Sequence, residues 1–267
     1  MSHAKFSQRH PEAAHYRWYG TRRWSPLLQG ITLDVAPGEL VALVGGSGEG
    51  KSLLLQCALD LLPANLRSHG TLSLDGKPLS ADGRRRLRGH TLCYVPQGVS
   101  ALNPLLNIER HLQRTRHLAG QHWDAEQASA VLRQSHLDPA TVMHSYPRQL
   151  SGGMAKRVLA CHASLSHARY ILADEITAWL DATLAHQLLR QLRRLCEQGC
   201  GILWVTHDLM LAAQHADRIV ALHQGQVSDS VSSAQLQRGE ISERLMRQWQ
   251  ALPERGTLFS DLERTPC

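Results

Sequence analysis

Eight consecutive residues, Gly45-Gly46-Ser47-Gly48-Glu49-Gly50-Lys51-Ser52, fit the pattern G-x-x-x-x-G-K-[ST]. Glycines let the backbone wrap until successive N–H groups converge on phosphate oxygens, and a following helix N-terminus adds positive partial charge. Lys51 can then reach the β- and γ-phosphates of a nucleoside triphosphate, and Ser52 can offer its hydroxyl to Mg²⁺. A glycine- and serine-rich turn without this function shares the composition, so the flanking residues decide. Further along, an apolar run ends at Asp174-Glu175, and another ends at Thr206-His207-Asp208. Four apolar residues before the acidic pair argue against a solvent-facing pair.

Holding these groups in place requires strands and helices in alternation. Leu40–Val44 reads as a buried parallel strand entering the loop, and Leu53–Leu59 as the helix leaving it. Upstream, Ile31, Leu33 and Val35 alternate with polar residues and lead to the turn Ala36-Pro37-Gly38, the pattern of an antiparallel strand. Leu72-Ser73-Leu74 with Asp75-Gly76 reads as a second hairpin arm. Thr91–Gln97 is a strand halted at Pro96, with the Gln97 amide at its end. From about Gly98 to Leu150 the character changes, with Ile108–Leu118 and Ala125–Leu137 as amphipathic helices of an insertion. Leu150-Ser151-Gly152-Gly153-Met154 then opens a helix whose apolar positions 154, 158, 161 and 165 keep helical spacing. Strand Tyr170–Glu175, helix Leu184–Gln198, strand Ile202–Thr206, helix Leu209–His215 and strand Ile219–Leu222 complete the alternation. Residues 1–15 read as polar and loose, and the chain from about Val227 as polar with a weak helical pattern. The expected fold is α/β with a mainly parallel sheet and the active groups at strand C-terminal ends.

Composition sets bounds. Apolar residues at 43% supply a core for one large domain with an inserted or appended unit. The net charge of +6 permits an acidic partner, yet only Arg84-Arg85-Arg86 with Arg88 is a local cluster, expected as a solvated face. No stretch approaches the roughly 18 uninterrupted apolar residues that a membrane span needs. The N-terminal residues lack an apolar signal region, so the expected location is the cytosol. Six cysteines are scattered; Cys196 and Cys200 are either packing thiols or a metal pair. The sixteen histidines read as surface composition, His207 excepted. Tyr16, Trp18, Tyr19 and Trp24 stand among arginines and either stack on an adenine ring or pack on the N-terminal sheet.

In chain order these signals resemble the ATPase subunits of ABC transporters, over roughly residues 28–230. The resemblance implies an ABC-type P-loop NTPase core with an N-terminal antiparallel β subdomain and an inserted α-helical subdomain. It divides the chain into 1–27, an aromatic segment; 28–97, β subdomain and P-loop core; 98–160, helical signature subdomain; 161–230, ATPase core; and 231–267, a tail. It implies ATP and Mg²⁺ as cofactors. Asp174, with Ser52 and Gln97, is implied to hold Mg²⁺, Glu175 to act as general base and His207 to contact the γ-phosphate. Ser151, Gly152 and Gly153 are implied to bind ATP held by an opposite subunit, with Asp181 at the seam. Tyr19 and Trp24 are the adenine candidates.

Four residues depart from the family pattern: Met154 where Gln is common, Glu49 where Ser is frequent, Ile176 where Pro is usual and Trp179 where a small residue is usual. None removes a phosphate ligand or the base. Ser100-Ala101-Leu102-Asn103-Pro104, Tyr146-Pro147 and Ser151-Gly152-Gly153-Met154 resemble the dipeptide, oligopeptide and nickel importer group. Leu61-Leu62-Pro63 and Asp75-Gly76-Lys77-Pro78 resemble its nickel-importer ATPases of the D type. Implied partners are a second ABC ATPase in a heterodimer, two membrane permeases and an extracytoplasmic solute-binding protein, at the cytoplasmic face of the inner membrane. Nickel or a metal–chelator complex is the expected cargo and a peptide the alternative. A soluble ABC ATPase acting on nucleic acid or ribosomes is disfavoured, because such chains usually carry two cassettes. Retention of Glu175 and His207 speaks against a module that binds ATP without hydrolysing it.

Overall fold

Leu40–Val44 and Tyr170–Ala173 have no polar face, and such strands must be covered on both sides. In the computed structural model, which describes residues 4–7, 14–16 and 25–252, they are interior strands of a sheet with both faces buried. The chain opens with strands β1 (Ala4–Ser7), β2 (Ala14–Tyr16), β3 (Ser25–Leu28), β4 (Thr32–Val35) and β5 (Leu40–Val44). Helix α1 (Lys51–Leu59) is followed by β6 (Leu66–Ser68), β7 (Thr71–Leu74), β8 (Lys77–Leu79), α2 (Ala81–Leu87) and β9 (Leu92–Val95). A helical stretch comes next: α3 (Ile108–Leu118), α4 (Ala125–Gln134), the short α5 (Pro139–Val142) and the long α6 (Gly152–Ser166). Alternation resumes with β10 (Tyr170–Asp174), α7 (Ala182–Glu197), β11 (Gly201–Val205), α8 (Leu209–His215) and β12 (Arg218–His223). Strand β13 (Gln226–Ser232) and helices α9 (Ser233–Arg238) and α10 (Glu243–Gln250) close the described chain.

The main sheet runs β13-β12-β5-β11-β10-β9, parallel except for β13. Its period of two sorts side chains onto two cores. Leu40, Ala42, Val44, Ile171, Ala173, Ile202 and Trp204 point to the side of the long helices. Val41, Leu43, Tyr170, Leu172, Leu203 and Val205 point to α1 and the antiparallel strands. Two smaller antiparallel sheets, β4-β1-β7-β8 and β3-β2-β6, complete the strand inventory of the described residues.

Several expectations are revised. Residues 4–7 form a strand, and β1 fills the gap between β4 and β7, pairing with both. Four residues with one charge are too short to show a period, so only long-range pairing reveals the strand. Residues 226–232 form an edge strand, hidden in sequence because its buried positions are Asp229 and Val231. The Asp229 carboxylate accepts from the Ser242 N–H at 3.0 Å and its hydroxyl at 2.8 Å, which compensates its burial. Beyond Val231, Leu236, Leu245 and Trp249 are buried in the main core, so residues 233–250 pack as part of the body. The Arg84–Arg88 cluster is only partly a solvated face. Arg84 donates to Cys57 O and Arg88 to Leu59 O and Asp60 O, so both satisfy carbonyls at the C-terminus of α1. Helix α4 stops at Gln134 rather than Leu137, where His136 adopts φ +54°.

Candidate active site

Strand β5 delivers Gly45 into a loop pressed against the β12–β13 turn. A Cβ at Gly45 would lie 2.6 Å from Leu222 O, and one at Gly50, where φ is +93°, would lie 2.5 Å from Leu28 Cδ2. Neither position has space for a side chain, so the backbone alone shapes the loop. Lys51 is buried at the first turn of α1, and its ammonium donates to Gly45 O at 2.9 Å and Gly46 O at 2.8 Å. The charge therefore spans the mouth of the glycine loop.

Ser52 Oγ donates to Asp174 Oδ1 at 2.8 Å, joining the start of α1 to the end of β10. Tyr94 OH donates to Asp174 Oδ2 at 3.2 Å. Burial pushes the Asp174 carboxyl above its ordinary range, against the two hydrogen bonds, which favour the anion. A hydroxyl and a carboxylate at this spacing are hard oxygen donors, which fit Mg²⁺ bound by few protein ligands and by phosphate oxygens.

Glu175, the next residue, takes φ +44°, and its N–H donates to Val205 O at 3.0 Å. Its side chain lies between two partners from other strand ends. Gln97 Nε2 donates to Oε2 at 2.7 Å, and His207 Nδ1 lies 3.8 Å from Oε1. Gln97 thus meets the carboxylate expected to be the base, and Asp174 is held by Ser52 and Tyr94. His207 is 63% exposed and free to reach a substrate in front of the site.

The other expected residues occupy two separate places. Ser151 Oγ accepts from Met154 N at 3.2 Å and caps α6, with Ser151 and Gly152 exposed. No hydrogen bond or ion pair among the described residues joins Ser151, Gly152 or Gly153 to the glycine loop. Asp181 caps α7 by accepting from Leu184 N at 2.9 Å. Trp179, just before it, is 94% exposed at φ +66°. Tyr19 and Trp24 lie outside the described residues. Cys196 and Cys200 are buried, and burial pushes both thiols up to about 12, which suits packing.

Glu49 folds away from the mouth of the loop: Oε1 lies 2.9 Å from His223 Nδ1, and Gln224 N–H donates to Oε2. Burial by itself would push the Glu49 carboxyl up, yet the bonds from His223 and Gln224 hold it below its usual range. Ile176 is buried in the core, and Met154 packs against it. Sequence reasoning missed Tyr94, Lys156 and His223. The only signal for Lys156 was a charge at a core-facing position of α6.

A glycine loop between a buried strand and a helix, with a carboxylate at the end of a parallel strand beside it, defines a P-loop nucleotide-binding protein. Residues 28–178 match the ABC transporter family. The chain is 35% identical over 219 residues to the dipeptide transport ATP-binding protein DppD of Caldanaerobacter subterraneus, covering 78% of this chain and 67% of that one. It is 36% identical over 211 residues to the nickel import ATP-binding protein NikD of Pseudomonas putida, covering 75% and 80%. Among solved structures, an ATP-binding subunit of an ABC transporter superposes with a TM-score of 0.74 at 26% identity, covering 92% of this chain and 99% of that chain. A dimeric bacterial ABC transporter cassette shares the fold, with a TM-score of 0.72 at 24% identity, covering 87% and 99%. The chain belongs to the ABC transporter ATP-binding family and is an ATPase.

Proposed function

We propose that this ATPase is the energy-coupling subunit of an importer for nickel or a metal–chelator complex. The observation that carries the hydrolytic part is the convergence of Ser52 with Asp174, and of Gln97 and His207 on Glu175. The glycine-loop N–H groups and Lys51 bind the phosphates, and Ser52 and Asp174 are the residues that would hold Mg²⁺. When bound, that ion neutralises charge on the β- and γ-phosphate oxygens. Glu175 takes the proton of a water that attacks the γ-phosphorus, His207 orients the phosphoryl group, and ADP and phosphate leave. Tyr19 or Trp24 stacks on adenine.

The rest of the reading is supported by the importer relatives, by the dimeric cassette of the same fold, and by the family resemblance, with Met154 and the exposed Trp179 favouring an unlike partner. Ser151, Gly152, Gly153 and Asp181 complete the site of a second ABC ATPase in a heterodimer, and the helical segment 98–150 seats that heterodimer on two permeases at the cytoplasmic face of the inner membrane. An extracytoplasmic solute-binding protein delivers the cargo. No helix among the described residues is long and apolar enough to cross a membrane. In this reading the two permeases form the pore. A di- or oligopeptide cargo is the second reading, because the dipeptide-transport relative is as similar as the nickel-import ones. Proteoliposomes holding the co-expressed assembly should take up radiolabelled nickel, free or chelated, only with ATP inside. Uptake of labelled dipeptides instead would transfer the assignment to the second reading, and uptake of neither would remove the importer assignment.

A further inference from the structure

Lys156 sits in the second turn of α6, on a face that also buries Ala155, Val158 and Leu159. A buried ammonium is costly unless its donors are satisfied. Among the described residues no carboxylate lies within ion-pair distance of Lys156. Instead Nζ donates to Ala178 O, and Glu175 O lies 3.5 Å away. Burial holds the amine below its ordinary range, against the opposing field of Glu175.

Both carbonyls belong to the turn that carries the base. Ala178 N–H closes that turn on Glu175 O at 3.1 Å, and Leu180 N–H bonds Thr177 O at 3.2 Å. The turn includes two non-glycine residues in the left-handed region, Glu175 at +44° and Trp179 at +66°. Such conformations persist only where surrounding groups impose them. Lys156 is the buried charge that reaches this turn from another element.

We infer that Lys156 is a positioning residue for hydrolysis: it clamps the Glu175–Ala178 turn and keeps the Glu175 carboxylate between Gln97 and His207. The clamp also ties that turn to α6, whose first turn holds Gly152 and Gly153. A change at the start of α6 therefore reaches the base through one side chain. The inference rests on Glu175 being the base, so the experiment separates the two assignments.

ATP turnover is measured on the co-expressed assembly, and ATP affinity on the full chain, for K156M, which keeps the stem and removes the charge, and for K156R, K156Q, E175Q and K156M/E175Q. Thermal unfolding accompanies each variant. The expected result is that K156M lowers kcat about tenfold or more while KM and the ATP dissociation constant stay within twofold, and that K156R recovers most of the loss. In the double variant K156M adds less than twofold to the effect of E175Q, because both act through one group. If K156M does not fold, K156Q, which retains one donor, is read by the same criteria. Wild-type kcat in the folded charge-free variant, or a full independent loss on top of E175Q, overturns the clamp. Wild-type turnover in E175Q alone overturns the base assignment instead.

Discussion

Gln97 Nε2 donates to Glu175 Oε2 at 2.7 Å, across 78 residues of sequence. The amide comes from the end of β9 and the carboxylate from the end of β10, neighbouring strands in parallel register. Glu175 is therefore restrained by its amide partner, with Oε1 turned toward His207. Because Gln97 also marks the passage from sheet to helical segment, movement of those helices would change how tightly the base is held. Replacing Gln97 by Ala is expected to leave ATP affinity within twofold and to lower kcat several-fold. A variant with unchanged kcat would show that this hydrogen bond has no part in turnover.

Glu175→Gln keeps the shape and a hydrogen-bonding group while removing the base. General-base catalysis contributes on the order of 10²–10⁴ in rate, so turnover should fall by about that factor while ATP still binds. Measured single-turnover hydrolysis at the wild-type rate would remove Glu175 from the reaction.

Lys51→Ala acts at a different step. It removes the buried charge that spans Gly45 O and Gly46 O, and a charged hydrogen bond is worth roughly 1.5–3 kcal/mol. The dissociation constant for ATP should rise about tenfold or more, read by equilibrium binding. Unchanged affinity would contradict the phosphate assignment of the loop.

The Glu49–His223 contact holds a carboxylate of the glycine loop against the end of β12. His223→Ala removes the partner and leaves that negative charge beside a negatively charged substrate. The pair is partly exposed, so its worth is modest, and KM for ATP should rise about threefold. Adding Glu49→Ser should restore KM, since the unpaired charge is then gone. A double variant no better than His223→Ala would assign the effect to loss of packing in the β12–β13 turn.

Stability should depend on pH through His162. Burial, with a smaller contribution from His111, lowers its pKa from 6.5 to about 4, and Thr115 Oγ1 is its hydrogen-bond partner. The unfolded chain binds the proton more readily, so stability is complete above about pH 6.5 and is lost as pH falls toward 4. The displacement corresponds to at most roughly 3 kcal/mol. His162→Gln should flatten that part of a denaturation-versus-pH curve. An unchanged slope between pH 6.5 and 4 would place the acid sensitivity elsewhere.

Local chemistry made much of the active site legible in sequence. The glycine loop, its entering strand and its leaving helix are contiguous, and a phosphate cradle needs those residue types in that order. The termini of β10 and β11 were legible because strands buried on both faces are nearly all apolar, so Asp174, Glu175 and His207 mark where each one ends. Helix α3 keeps the bounds that its periodicity predicts, because one face, with Ile108, His111 and Leu112, is toward the core. What escaped was set by pairing between distant segments. Strand β1 exists because β4 and β7 flank it, and β13 because β12 offers an edge. Tyr94 meets Asp174 across 80 residues, and Lys156 meets the turn after Glu175 from a different helix. The sequence by itself determined the candidate phosphate-binding groups, because backbone freedom and charge are properties of neighbouring residues. Only the tertiary structure decided which side chains hold Glu175, because those contacts depend on strand order and helix packing, which no local spacing encodes.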